Sequence, residues 1–164
     1  MKSRLAVLGA ALVILFVLVS VFQAARIQGG GMAPTLADGD RLLVNNLAYQ
    51  WRDPRRGDVV RLLYPPNPTK VFVLRVIAEE GDRVQIAGGR VLVNDAPSND
   101  DFVPASFRAH DDWGPRIIDE GYYFVMGDHR NNVSDSRHWG FVPKKYITGR
   151  ILLRWWPLSN ARFF

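Results

Sequence analysis

From Arg41 onward the apolar residues come in short β-branched or aromatic runs, each closed by Gly, Pro, Asn or Asp, and no stretch after Arg26 keeps a 3.6-residue apolar period for long. A helix needs that period to bury one stripe, whereas a strand buries alternate residues, so the pattern predicts strands. Arg41-Leu42-Leu43-Val44 and Val59 to Tyr64 read as strands around a loop punctuated by Asp53-Pro54 and Gly57-Asp58. Val71 to Ile77 is a strongly β-branched run. Arg83 to Ile86 and Arg90 to Val93 flank Ala87-Gly88-Gly89, a hairpin signal because glycine accepts the positive φ of a tight turn. Tyr122 to Met126 and Ile151 to Trp156 complete the set. Many short strands with frequent turns predict an all-β, antiparallel architecture. The segment 95–120 is polar and proline-interrupted, and is expected to be a small insertion off the sheet.

Ahead of the strands, Leu5 to Ala25 is almost wholly apolar, interrupted near its end by Ser20 and Gln23. As a helix it would span roughly 30 Å, the thickness of a hydrocarbon core. Lys2 and Arg4 precede it, which predicts a cytoplasmic N-terminus and an extracytoplasmic remainder. The expected organisation is a cytoplasmic tip (1–4), one N-terminal transmembrane helix (5–25) in the cytoplasmic (inner) membrane and a β domain (26–164). The rival is a cleaved signal peptide, but Phe22-Gln23-Ala24-Ala25 puts large residues where a small one should stand.

With no cysteine among its 164 residues, the chain has neither disulfides nor thiolate metal sites. The net charge of +5 comes from scattered arginines rather than a Lys/Arg run, which favours a membrane-lipid surface over nucleic acid as partner.

Three stretches, in order, resemble the signature boxes of type I signal peptidases. Gly31-Met32-Ala33-Pro34-Thr35-Leu36 with Gly39-Asp40 is similar to the family's Ser-Met-x-Pro-Thr-Leu motif. Leu74-Arg75-Val76-Ile77 with Gly81-Asp82 resembles its Lys-Arg strand and Gly-Asp turn. Gly127-Asp128-His129-Arg130-Asn131-Asn132-Val133-Ser134-Asp135-Ser136-Arg137-His138-Trp139-Gly140 resembles its Gly-Asp-Asn-x-x-x-Ser-x-Asp-Ser-Arg-x-Trp-Gly box. Arg56-Gly57-Asp58, Phe141-Val142-Pro143 and Gly149-Arg150 add to the likeness. The resemblance implies a signal-peptidase-like fold, no cofactor and no metal. It also implies serine endopeptidase chemistry, in which a serine hydroxyl is activated by a lysine kept neutral through burial.

The residues at those positions depart from that chemistry. Gly31 stands at the nucleophile position, Leu74 at the general-base position, Gly29 where many members carry an oxyanion-donating serine, and Val133 where a serine orients the lysine. Losing only one partner would leave others buried and unpaired, at about 1–3 kcal/mol each, whereas an all-apolar set avoids that cost. Leu74 alternates with Phe72 and Val76, so the three are expected on one sheet face. Lys70 is four residues before Leu74, roughly 13 Å away along a strand, too far to replace a base in place. His129, His138, Ser134 and Ser136 are the remaining candidates for a relocated dyad.

The resemblance further implies a substrate cleft at Met32, Pro34, Phe72 and Leu74 that grips an extended peptide by main-chain hydrogen bonds. Arg75, Gly81, Asp82, Gly127, Asp128, Arg130, Asp135, Ser136 and Arg137 are expected to hold the scaffold, with Asp135 paired to Arg137 or Arg75. Met32, Trp155 and Trp156 are candidates to face the membrane. Three functions are open: a non-catalytic binder of signal peptides or secretion partners, an active signal peptidase with a relocated dyad, and a structural subunit of a secretion or surface-assembly complex.

Overall fold

The computed structural model describes residues 7, 9, 11, 12 and 20–164. These form twelve strands: β1 (Phe22–Arg26), β2 (Arg41–Asn45), β3 (Val59–Leu63), β4 (Val71–Ala78), β5 (Arg83–Ala87), β6 (Arg90–Val93), β7 (Ala96–Pro97), β8 (Trp113–Ile117), β9 (Tyr122–Met126), β10 (Val142–Pro143), β11 (Ile147–Trp156) and β12 (Arg162–Phe163). A short helix, α1 (Ser136–Trp139), precedes β10, and the described residues ahead of β1 are helical. Every strand pair is antiparallel. The larger sheet runs β1-β2-β11-β3-β4-β9-β10 with β12 on β11, and the smaller runs β7-β6-β5-β8.

The expected membrane helix over 5–25 falls largely on residues outside those described. Its last part is corrected: Phe22 to Ala25 lie in β1, paired with Asn45 to Leu42 of β2. An apolar run does not announce where a helix stops, and here the edge of β2 supplies a partner for every residue of β1. Among the described residues, no helix is long and apolar enough to cross a membrane. The reading of 95–120 as an excursion is also corrected, because β7 and β8 form the two edges of the smaller sheet.

Two cores lie on opposite faces of β4 and β9. Tyr123 and Val125 pack with Leu74, Val76 and Val60 in one, while Phe124 and Met126 pack with Ile77, Val84 and Ile86 in the other. This two-sided burial explains the unbroken apolar run of β9. A register shift between Val76 and Ala78 marks a bulge at Ile77, which turns both Ile77 and Ala78 toward the second core. The Gly88-Gly89 hairpin forms as expected, with φ of 55° and 74°. A second tight hairpin joins β6 to β7 through Asn94 and Asp95, also left-handed at φ 54° and 65°.

Candidate functional site

The loop after β1, the first half of β4 and the segment 132–134 enclose a cavity of about 400 Å³. Gly29, Gly31, Met32, Phe72, Leu74 and Val133 all line it, so residues far apart in sequence meet at one place. Gly31 and Val133 are tightly packed. A Cβ added at Gly31 would stand 2.9 Å from Val133 Cγ2, closer than carbon atoms pack. A Cβ at Gly127 would collide with the Gly31 carbonyl oxygen and with Val133, so Gly127 lets these two loops touch. The same Gly31 carbonyl accepts from the His129 N–H at 3.1 Å. Leu74 is 1% exposed and belongs to the first core beside Val60 and Val76, with Phe72 packed against that cluster.

Two strand edges border the cavity. β4 pairs with β9 only from Arg75 onward, so Val71 to Leu74 have β3 on one side and, among the described residues, no strand on the other. β1 is the outermost strand of its sheet. Val71 to Leu74 and Ala25 to Gln28 are all in the cavity lining.

The family model for signal peptidase, peptidase S26, matches residues 1–156. The chain belongs to that family. It is 38% identical over 149 residues to signal peptidase I of Leptolyngbya laminosa, covering 85% of this chain and 71% of the relative. A probable thylakoidal processing peptidase of Arabidopsis thaliana is also 38% identical, over 82% of this chain but only 38% of its own length. The crystal structure of a signal peptidase I from Enterococcus faecalis V583 shares the fold, with a TM-score of 0.54 at 23% identity over 60% of this chain and 97% of that one.

The signature boxes of this signal peptidase family member divide between cavity and scaffold. Arg75 makes a two-pronged ion pair with fully buried Asp128, at 2.9 and 2.7 Å, and lies over the Phe102 ring. The expected alternative of Arg75 with Asp135 is corrected, because Arg75 stands opposite Met126 in the ladder, two residues from Asp128. Asp135 pairs with Arg137, accepts from the Gly127 N–H and caps α1. Arg130 grips Asp100 through two nitrogens and donates to the Gly127 carbonyl. Gly81 (φ 79°) and Asp82 build the turn after β4, where Asp82 binds Arg56 and Asn94 away from the cavity.

The remaining candidates scatter. Pro34 is exposed and outside the cavity lining. Met32 does not face a membrane, being 2% exposed in the first core, whereas Trp156 is exposed with Trp155 half-buried beside it. Ser136 is fully buried, its hydroxyl accepting from the Val125 N–H at 3.0 Å. His138 caps α1, and Lys70 is exposed outside the lining. His129 packs its ring at a tilt against Phe107 and contacts the Gly30 carbonyl. Ser134 does line the cavity. Arg61, also in the lining, was not singled out from sequence, although a lone charge in the apolar run of β3 was a signal.

Proposed function

We propose that this signal peptidase family member binds extended peptides, such as signal peptides of exported proteins, at the cavity edge without hydrolysing them. The observation that carries this reading is the lining itself: Gly31, Leu74 and Val133 face one space, and among the described residues no lysine or histidine lines it. Glycine, leucine and valine neither attack a carbonyl nor take a proton, so the covalent route has no nucleophile–base pair there. Peptide binding needs neither. The open edge at Val71–Leu74 offers main-chain groups for an added strand, and the apolar part of the lining, with Val73, Leu74 and Val133, suits small side chains. The apolar run that precedes β1 would tether the domain to the membrane that presents such peptides, leaving the domain extracytoplasmic.

A photo-crosslinking signal peptide tests this. Adducts at Val71–Leu74 or Gln28–Met32 with the peptide intact are expected. Adducts confined to other faces would reject the cleft as the binding site.

The names of the relatives back a second reading better than the first. Proteins called signal peptidase I and thylakoidal processing peptidase match most of this chain. On that reading the chain cleaves preproteins through another serine, and Ser134 is the serine in the lining. A mechanism-based acylating inhibitor labels Ser134 if this holds, and labels nothing if the first reading holds.

A further inference from the structure

Among the described residues the cavity carries positive charge and no carboxylate: Arg26 and Arg61 are its charged lining residues. Arg61 rises from β3 opposite Val73 of β4 and reaches Gln23 of β1, so it lies between the two open edges. Its Nε donates to Thr148 Oγ1 at 3.0 Å, one terminal nitrogen to Gln23 Oε1, and the other to Asn46 Oδ1 at 3.1 Å. All three acceptors are neutral. A guanidinium has five N–H donors, so donors remain for a ligand. Among the described residues neither Arg61 nor Arg26 forms an ion pair.

Other enclosed arginines of this chain are treated differently. Arg75, Arg130, Arg137 and Arg154 each hold a carboxylate, from Asp128, Asp100, Asp135 and Asp40. A second cavity of about 410 Å³ is lined by Arg56 and Arg75, and both are already neutralised, by Asp82 and Asp128. Asp38, which accepts from the Gly29 N–H at 2.8 Å, is exposed and outside the candidate lining. Burial pushes the Arg61 pKa below the ordinary arginine value, yet a guanidinium stays charged in proteins. A half-desolvated cation with only neutral acceptors is costly unless an anion joins it.

We propose that Arg61 binds a carboxylate of the peptide that occupies this cavity, either an Asp or Glu side chain or a free C-terminus. This rests on the peptide-binding reading above. Charge then selects among extended peptides whose backbones are held alike by the strand edge.

The test is fluorescence anisotropy with three alanine-rich peptides on the full chain in detergent–lipid micelles at low salt. One carries an internal Glu and a C-terminal amide, one is neutral with a free C-terminus, and one is a neutral amide. At least one carboxylate peptide should bind about tenfold tighter than the neutral amide, as a charged hydrogen bond provides, and the gap should shrink with added salt. The peptide that gains identifies the source of the carboxylate. Arg61→Gln should bring all three to one affinity, and Arg61→Lys should keep a preference. Equal binding of all three by the native chain overturns the role of Arg61 while leaving peptide binding intact. Failure of every peptide to bind overturns the peptide-binding reading and this one with it.

Discussion

Placing a serine at position 31 should require a second change at position 133. Gly31 does not have a positive φ, so its backbone accepts any L-residue. The obstacle is Val133, whose Cγ2 would stand 2.9 Å from the new Cβ, with Val133 Cβ at 3.6 Å. Carbon atoms pack best at about 3.5–4.0 Å, so Val133 or the loop must give way by more than half an ångström. Val133 cannot retreat freely, because it also crowds Gly127. Gly31→Ser should therefore cost about 1–3 kcal/mol, the usual range for overpacking. Val133→Ala should cost about 1 kcal/mol through lost apolar contact. The double variant should be more stable than the sum of the two by at least about 1 kcal/mol, since the smaller side chain removes the clash. Urea denaturation of the four proteins, with unchanged slopes, measures that coupling. Additivity to within about 0.5 kcal/mol would refute the claim that Val133 fills the space a serine side chain would need.

Gly127→Ala should be worse than Gly31→Ala, at about 3 kcal/mol, because the new Cβ meets a backbone carbonyl that cannot rotate aside; equal melting shifts would contradict this. Asp128→Ala leaves Arg75 enclosed without its carboxylate and should cost about 3–5 kcal/mol, against a smaller loss for Asp128→Asn, by the same denaturation. Burial alone would raise the Asp82 pKa, but bonds from Arg56, the Glu79 N–H and Asn94 hold it below the ordinary aspartate value. That contribution to stability is present above the unfolded-chain pKa and is lost as pH falls through the folded one, so stability should drop below about pH 4 and Asp82→Asn should flatten the drop. Burial, and then the charges of Asp53, Glu80 and Glu79, push Tyr123 up to about 12, while burial and Asp58 push Tyr49 higher still. Both disfavour ionisation in the fold, so stability should fall as pH rises above about 10, and ultraviolet titration should show these two ionising after the other tyrosines or with unfolding.

β2, β5 and β6 were legible because each buries alternate residues of its own short run. β8 was not, because Gly114-Pro115 and Arg116 read as loop, and a proline is tolerated there only because β8 is an edge strand. The β6–β7 hairpin had a usable signal in Asn94-Asp95, two residue types that accept left-handed φ. β1 was hidden inside an apolar run whose end nothing marks, and only pairing with β2 makes it a strand. At the site, Gly29, Gly31, Leu74 and Val133 were found through motif order, and the structure brings all four into one lining. The role of Arg61 was not legible, since its acceptors come from three other segments: Gln23, Asn46 and Thr148. The partner of Arg75 depended on the β4–β9 register, which spacing alone does not set.

Cleavage of a fluorescent preprotein by the native chain in detergent–lipid micelles, beside an active signal peptidase, tests the central claim most directly. With the chain shown to be folded and able to bind the signal peptide, no product is expected at the signal-peptide site. Cleavage there, abolished by Ser134→Ala, would contradict the account and make this chain an active peptidase working through another serine.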